Sequence, residues 1–208
     1  MKKLNKTEVE KNLKSGVLTE PFLDTGLVKQ KIDKDFDYKI AKNNNYTKLE
    51  SLYNWIHKNI KTTTDKDQKR KYKFQRTAKE IWESGFATGC TDYAILFATF
   101  ARQVGIPTTF LHTAEYGWIQ KLKNGEESSR IHKGHSFCEC FYNGEWVLVD
   151  PTCRKIEFSY DAEKIYLSYQ VGKSNIFIPY FRGLDLGKRQ TIEQHAVEEE
   201  MACLNLNV

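Results

Sequence analysis

The chain has 208 residues, of which 40% are hydrophobic and 13% aromatic, enough for one domain with a sizeable core. Its 32 basic and 27 acidic residues give a net charge of +5, but the lysines lie mostly in the first 75 positions and do not alternate with aromatic residues. This distribution is typical of a solvated surface and argues against nucleic-acid binding.

The N-terminus and the cysteines bear on location. Met1-Lys2-Lys3 could open a signal peptide, but the residues that follow never become apolar, and no later run is apolar enough to span a membrane. The five cysteines are an odd number, which favours free thiols in a reducing compartment; they stand at positions 90, 138, 140, 153 and 203. We therefore expect a cytoplasmic protein without a membrane partner.

The first half of the chain contains two clear helix signals. Residues 1–45 are polar and irregular, which predicts an arm or short helices beside a domain over 46–208. The capping box that begins at Thr47 precedes apolar residues at helical spacing and predicts a helix over 48–60. After a lysine-rich, interrupted run over 61–75, a short helix is predicted over Thr77–Ser84, closed by Gly85.

The middle of the chain predicts a buried helix followed by a strand. The helix begins at Cys90 and continues to about Val104, because it is apolar nearly all round and is followed by Gly105-Ile106-Pro107. The β-branched and aromatic residues of Thr108–Thr113 predict a strand, and the polar run Gln120–Lys133 a surface loop.

Asn143-Gly144 is the strongest short-range hairpin signal in the chain, and it separates the runs His135–Tyr142 and Glu145–Thr152. If Tyr142 pairs with Glu145, Phe137 lies opposite Asp150 and His135 lies opposite Thr152. His135 and Asp150 are then diagonal neighbours on one face of the sheet, about 7 to 8 Å apart at the backbone and within reach of each other.

Beyond residue 153 the pattern weakens. Tyr160–Tyr169 is compatible with a helix and Ile176–Tyr180 with an extended segment, while Thr191–Leu204 predicts a terminal helix whose three consecutive glutamates face water.

Cys90 is a candidate nucleophile because of its place at a helix N-terminus, where unpaired amides and the helix dipole favour the thiolate. Gly89 leaves room for a substrate carbonyl, and the backbone N–H of Cys90 is a candidate oxyanion donor. The alternative is a small buried hydrophobe, the commoner role for a free cysteine. His135, with its tautomer fixed by Asp150, is the candidate base.

Other polar and aromatic residues have plainer interpretations. A zinc set of His132, His135, Cys138 and Cys140 is disfavoured, since in a strand the two cysteines share the face opposite His135 and no CxxC pair accompanies them. Asp92 is expected to support the start of the Cys90 helix. Trp118 lies in the polar stretch between strand and loop, and we expect it beside the substrate. The remaining candidates are expected in the core, at its rim or on the terminal helix: His57, His112, His195, Trp82 and Trp146.

Four blocks in order resemble the transglutaminase-like core superfamily, which is related to papain-type cysteine proteases. They are Thr88-Gly89-Cys90-Thr91-Asp92-Tyr93-Ala94, Ala101-Arg102-Gln103-Val104-Gly105-Ile106-Pro107, His135-Ser136-Phe137 and Trp146-Val147-Leu148-Val149-Asp150-Pro151-Thr152. The resemblance covers about 48–155 and leaves 156–208 as a C-terminal extension. Where the family often has His-Ala-Trp, this chain has His135-Ser136-Phe137, which retains an aromatic residue beside the histidine.

The resemblance implies an α+β fold in which a central helix bearing the nucleophile packs on an antiparallel β-sheet. It also implies that Cys90 is the nucleophile, His135 the base and Asp150 the orienting acid of a thiol enzyme that acts on peptide or glutamine amide carbonyls. No cofactor or metal is expected, and the partner is a peptide or protein substrate. No segment resembles a calcium site, and we favour a cysteine protease or amidase-type hydrolase. The alternatives are a protein-glutamine transglutaminase, a catalytically silent peptide-binding module and an acetyltransferase of the arylamine type.

Overall fold

The computed structural model describes residues 46–126, 133–167 and 176–183, in which helices pack on a mixed arrangement of strands. The helices are α1 (Tyr46–Asn59), α2 (Lys66–Tyr72), α3 (Ala78–Ser84), α4 (Cys90–Gln103) and α5 (Tyr116–Lys123). The strands are β1 (Lys61–Thr62), β2 (Phe86–Ala87), β3 (Thr108–Glu115), β4 (Gly134–Tyr142), β5 (Glu145–Asp150), β6 (Lys155–Glu157), β7 (Ile165–Tyr166) and β8 (Ile176–Gly183). The predicted α+β class is confirmed.

The main sheet has six strands in the order β6-β5-β4-β3-β8-β7, and every neighbouring pair is antiparallel. A separate parallel pair, β1 and β2, precedes α4. No helix among the described residues is long and apolar enough to cross a membrane.

Helix α4 lies at the centre of the core, as its composition predicts. Every residue from Thr91 to Arg102 is buried. Its apolar side chains pack against Leu52 and Ile56 of α1, Ile81 of α3 and the helix-facing side of the sheet. Since burial of one such side chain stabilises a fold by about 1.5–3 kcal/mol, packing in the core fixes the position of the helix that begins at Cys90.

The local signals for α3 and the hairpin are confirmed. Thr77 and Glu80 form both bonds of a capping box, and α3 ends at Gly85 with φ 72°. In the hairpin, Tyr142 pairs with Glu145 and Cys138 with Val149, which is the predicted register. Asn143 and Gly144 have φ values of 51° and 88°, as a two-residue type I′ turn requires.

Two helices fall where the sequence pattern predicted none. Helix α2 buries no residue, so it has no apolar periodicity; its start is held by Asp65, whose carboxylate accepts bonds from the backbone N–H groups of Asp67 and Gln68. Helix α5 occupies 116–123, where a loop was predicted from residue 120 onward. The prediction was wrong there because the apolar face of α5 is short and packs on β3 and β8.

The later predictions have mixed outcomes. The extended segment at Ile176–Tyr180 is confirmed within β8, whereas the helix at 160–169 is wrong for the part described, where Ile165 pairs with Phe177 in β7. The arm over 1–45 and the helix over Thr191–Leu204 lie outside the described residues.

Candidate active site

Cys90 is the first residue of α4, and the residue is partly buried. Gly89 precedes it in an extended conformation, and a Cβ at Gly89 would meet no atom within 4 Å. A side chain at Gly89 would therefore extend into open space rather than strike the protein. Gly89 also lines the pocket beside Cys90, and its role in admitting a substrate carbonyl stays a prediction.

A buried ion pair holds the segment before Cys90. The carboxylate of Asp92 accepts bonds from the Thr88 backbone N–H at 2.6 Å, the Thr88 hydroxyl at 2.8 Å and Arg76 Nη2 at 2.5 Å. Arg76 also donates to the carbonyl of Phe86 at 3.0 Å, so one guanidinium connects β2 to the first turn of α4. Asp92 thus supports the helix start, as predicted, and Arg76 is a partner that sequence reasoning missed.

His135 and Asp150 lie together on one face of the sheet, as the hairpin register predicts. His135 Nε2 is 3.0 Å from Asp150 Oδ1, with side-chain exposures of 12% and 1%. The same Oδ1 accepts the backbone N–H groups of Thr152 and Cys153, both at 3.0 Å. The turn after β5 therefore fixes the carboxylate, and the carboxylate fixes the ring of His135.

The thiol of Cys90 interacts with the ring of His135. Burial raises the pKa of the Cys90 thiol, but the hydrogen bond and charge of His135, with a smaller effect of Ser136, outweigh burial and lower this pKa overall. Burial lowers the pKa of His135, but its bonds to Asp150 and Cys90 raise it to about 10. These opposite shifts favour a thiolate–imidazolium pair.

Ser136 helps to attach the strand to the helix at this point, since its hydroxyl lies 3.0 Å from that of Thr91 in the first turn of α4. Thr113 of β3 donates to the carbonyl of His135 at 3.0 Å. The strand that carries His135 is therefore bonded to α4 on one side and to β3 on the other. The role of Ser136 had no signal in the sequence beyond its place after the histidine.

A pocket of about 180 Å³ opens in front of the thiol. Its walls come from the segment after α2, the start of α4 and the adjacent ends of β3 and β4; the lining residues are Lys73, Phe74, Thr88, Gly89, Cys90, Thr91, His112, Gly134, His135 and Ser136. Phe74 has φ 61°, a conformation that bulky residues rarely adopt and that occurs most often at functional sites. Phe74 and Lys73 were not predicted, because the run 61–75 carries no motif.

Two further histidines among the described residues lie beside the site, His57 behind Asp150 and His112 at the pocket rim. His57 Nε2 lies 2.7 Å from the carbonyl oxygen of Pro151, and its ring stacks on Tyr93 at 4.4 Å, so α1 and α4 both hold the turn after Asp150. His112 lines the pocket rim and is 3.1 Å from the hydroxyl of Tyr180 through Nδ1. Next to it, the pairing of β3 with β8 shifts register, an irregularity that re-aims side chains beside sites.

Trp118 does not lie in the predicted place. It is 1% exposed in α5, packed with Ala114 and Ile178, and it is absent from the pocket walls. The expectation that Trp118 lies beside the substrate was wrong because residues 116–123 form a helix whose apolar face packs this side chain on β3 and β8. Trp82 stacks on Trp55 in the core as expected, while Trp146 is half-buried against Phe141.

The disfavoured zinc set is not assembled by the described residues. Cys138 and Cys140 are buried against α4, and Cys138 Sγ donates to the carbonyl of Ala94 at 3.4 Å. His135 contacts Phe137 and Phe177 on the opposite side of the sheet, and His132 lies outside the described residues.

The pKa shifts predict how Cys90 alkylation depends on pH. The Cys90 thiolate is present above its lowered pKa, and its imidazolium partner persists until the pH approaches the His135 pKa of about 10. We expect the rate of iodoacetamide alkylation to reach its plateau at lower pH than a free cysteine, whose pKa is about 8.5. Peptide mapping measures the alkylation rate of each cysteine separately. If the pH dependence of the Cys90 rate had its midpoint at the pKa of a free cysteine, the ion pair would be contradicted.

The fold and site define the class of this protein. A central helix that begins with a thiol and packs on an antiparallel sheet bearing a histidine–aspartate pair is an α+β core of the papain-like, transglutaminase-like type. The model of the transglutaminase-like superfamily matches residues 34–151, more than half of the chain. The chain belongs to this superfamily.

One solved structure similar to this chain comes from Cytophaga hutchinsonii and is described as a candidate cysteine protease. The two share 16% sequence identity with a TM-score of 0.51, over 82% of this chain and 47% of the other. The likeness supports the fold, and this chain spans about half the length of that protein. No significant match exists among curated proteins.

Proposed function

We propose that this protein is a thiol-dependent hydrolase of peptide or glutamine side-chain amides, with Cys90, His135 and Asp150 as its catalytic triad. The observation that carries the proposal is the position of the His135–Asp150 pair, 3.0 Å between Nε2 and Oδ1, against a thiol at the start of α4. Membership of the superfamily and the name of the structural neighbour support the same reaction class.

The proposed reaction has two steps. The Cys90 thiolate attacks the amide carbonyl carbon, and the negative charge that forms on the carbonyl oxygen is met by the Cys90 backbone N–H at the helix start. His135 gives its proton to the leaving amine as the C–N bond breaks, which leaves a thioester. His135 then takes a proton from water, the resulting hydroxide attacks the thioester, and the acid leaves while the Cys90 thiolate returns with its imidazolium partner.

Asp150 has a fixed role in this proposal. It accepts two backbone N–H groups besides its contact with His135. A carboxylate held in this way keeps the ring oriented with its other nitrogen, Nδ1, toward the thiol and stabilises the imidazolium. It does not need to accept a proton itself.

A covalent adduct on Cys90 tests the proposal. Intact-mass analysis after mixing with a panel of glutamine-containing peptides is expected to show an acyl adduct on the wild-type protein and none on Cys90→Ala. A Cys153→Ser variant is the matched control, because it removes a more exposed thiol and leaves the pocket walls unchanged. Addition of a primary amine separates the hydrolase from a transglutaminase, which would pass the acyl group to the amine.

Three outcomes count against the proposal. Full amidase activity in Cys90→Ala would exclude Cys90 as nucleophile. A Cys90 that reacts no faster than a free thiol and forms no adduct with any peptide would favour the silent peptide-binding module. An acetyl-thioester formed from acetyl-CoA would favour the acetyltransferase.

A further inference from the structure

Cys153 lies beside the predicted triad and has no part in the proposed reaction. Its thiol is exposed, and its backbone N–H donates to Asp150 Oδ1 at 3.0 Å. One ligand atom each from His135, Asp150 and Cys153 can be chosen so that all three lie within 4.8 Å of one another. We propose that these three side chains form a binding site for Zn²⁺ that switches the enzyme off.

The donor set suits zinc rather than a harder ion. Zn²⁺ binds imidazole nitrogen, thiolate sulfur and carboxylate oxygen, whereas Ca²⁺ and Mg²⁺ take oxygen ligands. A tetrahedral zinc ion places such ligands about 3.4 to 3.6 Å apart. The three ligand atoms lie within 4.8 Å of one another, so shifts of about 1 Å bring them to this spacing, and Cys153 is the exposed residue of the three.

The three residues divide into two fixed ligands and one exposed ligand. Asp150 is 1% exposed and His135 12%, so the nitrogen and oxygen ligands are held in place by the fold. Cys153 is exposed, and a change of its side-chain torsion would bring the thiol toward the other two ligands. The fourth position of the tetrahedron then faces solvent and is filled by water.

Zinc at this site would disable the base, and this step rests on the proposed function. An ion bound to Nε2 replaces the direct contact of the ring with Asp150 and leaves the one remaining ring proton on Nδ1, the nitrogen that faces Cys90 in the proposed mechanism. The ring then has no acceptor for the thiol proton and no imidazolium proton for the leaving amine. Zinc binding displaces the protons of the His135 Nε2 and the Cys153 thiol.

The binding test uses Co²⁺ as a spectroscopic substitute for Zn²⁺ in a Cys90→Ala, Cys203→Ser background, which removes the predicted nucleophile and the thiol beyond the described residues. We expect a near-ultraviolet thiolate-to-cobalt charge-transfer band that Zn²⁺ displaces and that disappears with Cys153→Ser. The serine variant keeps the backbone N–H on Asp150, and circular dichroism checks its fold. A band that survives in Cys153→Ser, or no band at saturating Co²⁺, overturns the site.

The second test measures the zinc concentration that halves the activity of the otherwise wild-type enzyme and of Cys153→Ser, each relative to its own zinc-free rate. We expect Cys153→Ser to need at least about tenfold more zinc. Equal sensitivity of the two proteins means that zinc acts through Cys90 and His135 alone, and overturns the proposed switch. The cobalt test does not depend on catalysis, so failure of the proposed function and failure of the metal site are distinguishable.

Discussion

Replacement of His135 by alanine is expected to lower kcat/KM for an amide substrate by roughly 10⁴-fold. The variant loses the proton donor for the leaving amine and the partner that lowers the pKa of Cys90 against the opposing effect of burial. Its thiol should then ionise only at the pH of an ordinary or buried cysteine. The measurement pairs steady-state kinetics with the alkylation rate of Cys90 at neutral pH.

Two companion experiments separate chemistry from folding in His135→Ala. Added imidazole should restore part of the activity, because a small base can occupy the space that the ring leaves. Asp150→Asn should retain the site's shape yet lose a large part of the activity, since an amide does not stabilise the imidazolium as a carboxylate does. A His135→Ala protein with unchanged kcat/KM and an unchanged alkylation rate would remove His135 from the mechanism.

Replacement of Arg76 by leucine is expected to reduce the free energy of unfolding by about 3–5 kcal/mol. Arg76 is 4% exposed and Asp92 1%, so the variant leaves a buried carboxylate without its cation. Domains of this kind have total stabilities of about 5–15 kcal/mol, and the loss is a large part of that total. Urea titration measures this loss in the free energy of unfolding, provided that the slope of the free energy against urea concentration is the same in both proteins.

The chain offers a matched control for this variant. Arg70 makes an ion pair with Asp67 at 3.2 Å, but the two side chains are 85% and 86% exposed. Arg70→Leu should therefore change stability by less than about 1 kcal/mol. Equal effects of the two substitutions would show that the Arg76–Asp92 pair does not hold the start of α4.

Several parts of the fold that local chemistry dictates were predicted correctly. The stop at Gly85 and the turn at Asn143-Gly144 each depend on residues adjacent in the chain, and both occur. The capping box predicted at Thr47 was wrong, because α1 begins at Tyr46 and Thr47 lies inside the helix. The turn also determines which residues face each other, so the contact between His135 and Asp150 follows from the sequence once the strands pair.

The parts that were missed depend on burial against distant elements. Helix α2 buries no residue and has no apolar face. Helix α5 has only a short apolar face, which packs on β3 and β8. Neither helix therefore produces a long periodic pattern in the sequence. Trp118 was placed beside the substrate for the same reason, since a tryptophan in a polar run has no sequence signal for the cluster that buries it.

By itself, the sequence determined the helix that begins at Cys90, the hairpin register and the superfamily. These depend on helix capping, turn geometry and motif order, which act within a few residues or persist in the chain. Only the tertiary structure decided that β4 lies beside the start of α4, and that Phe74 and Lys73 wall the pocket. These contacts join residues far apart in the chain, and long-range packing, which no local pattern encodes, selects among them.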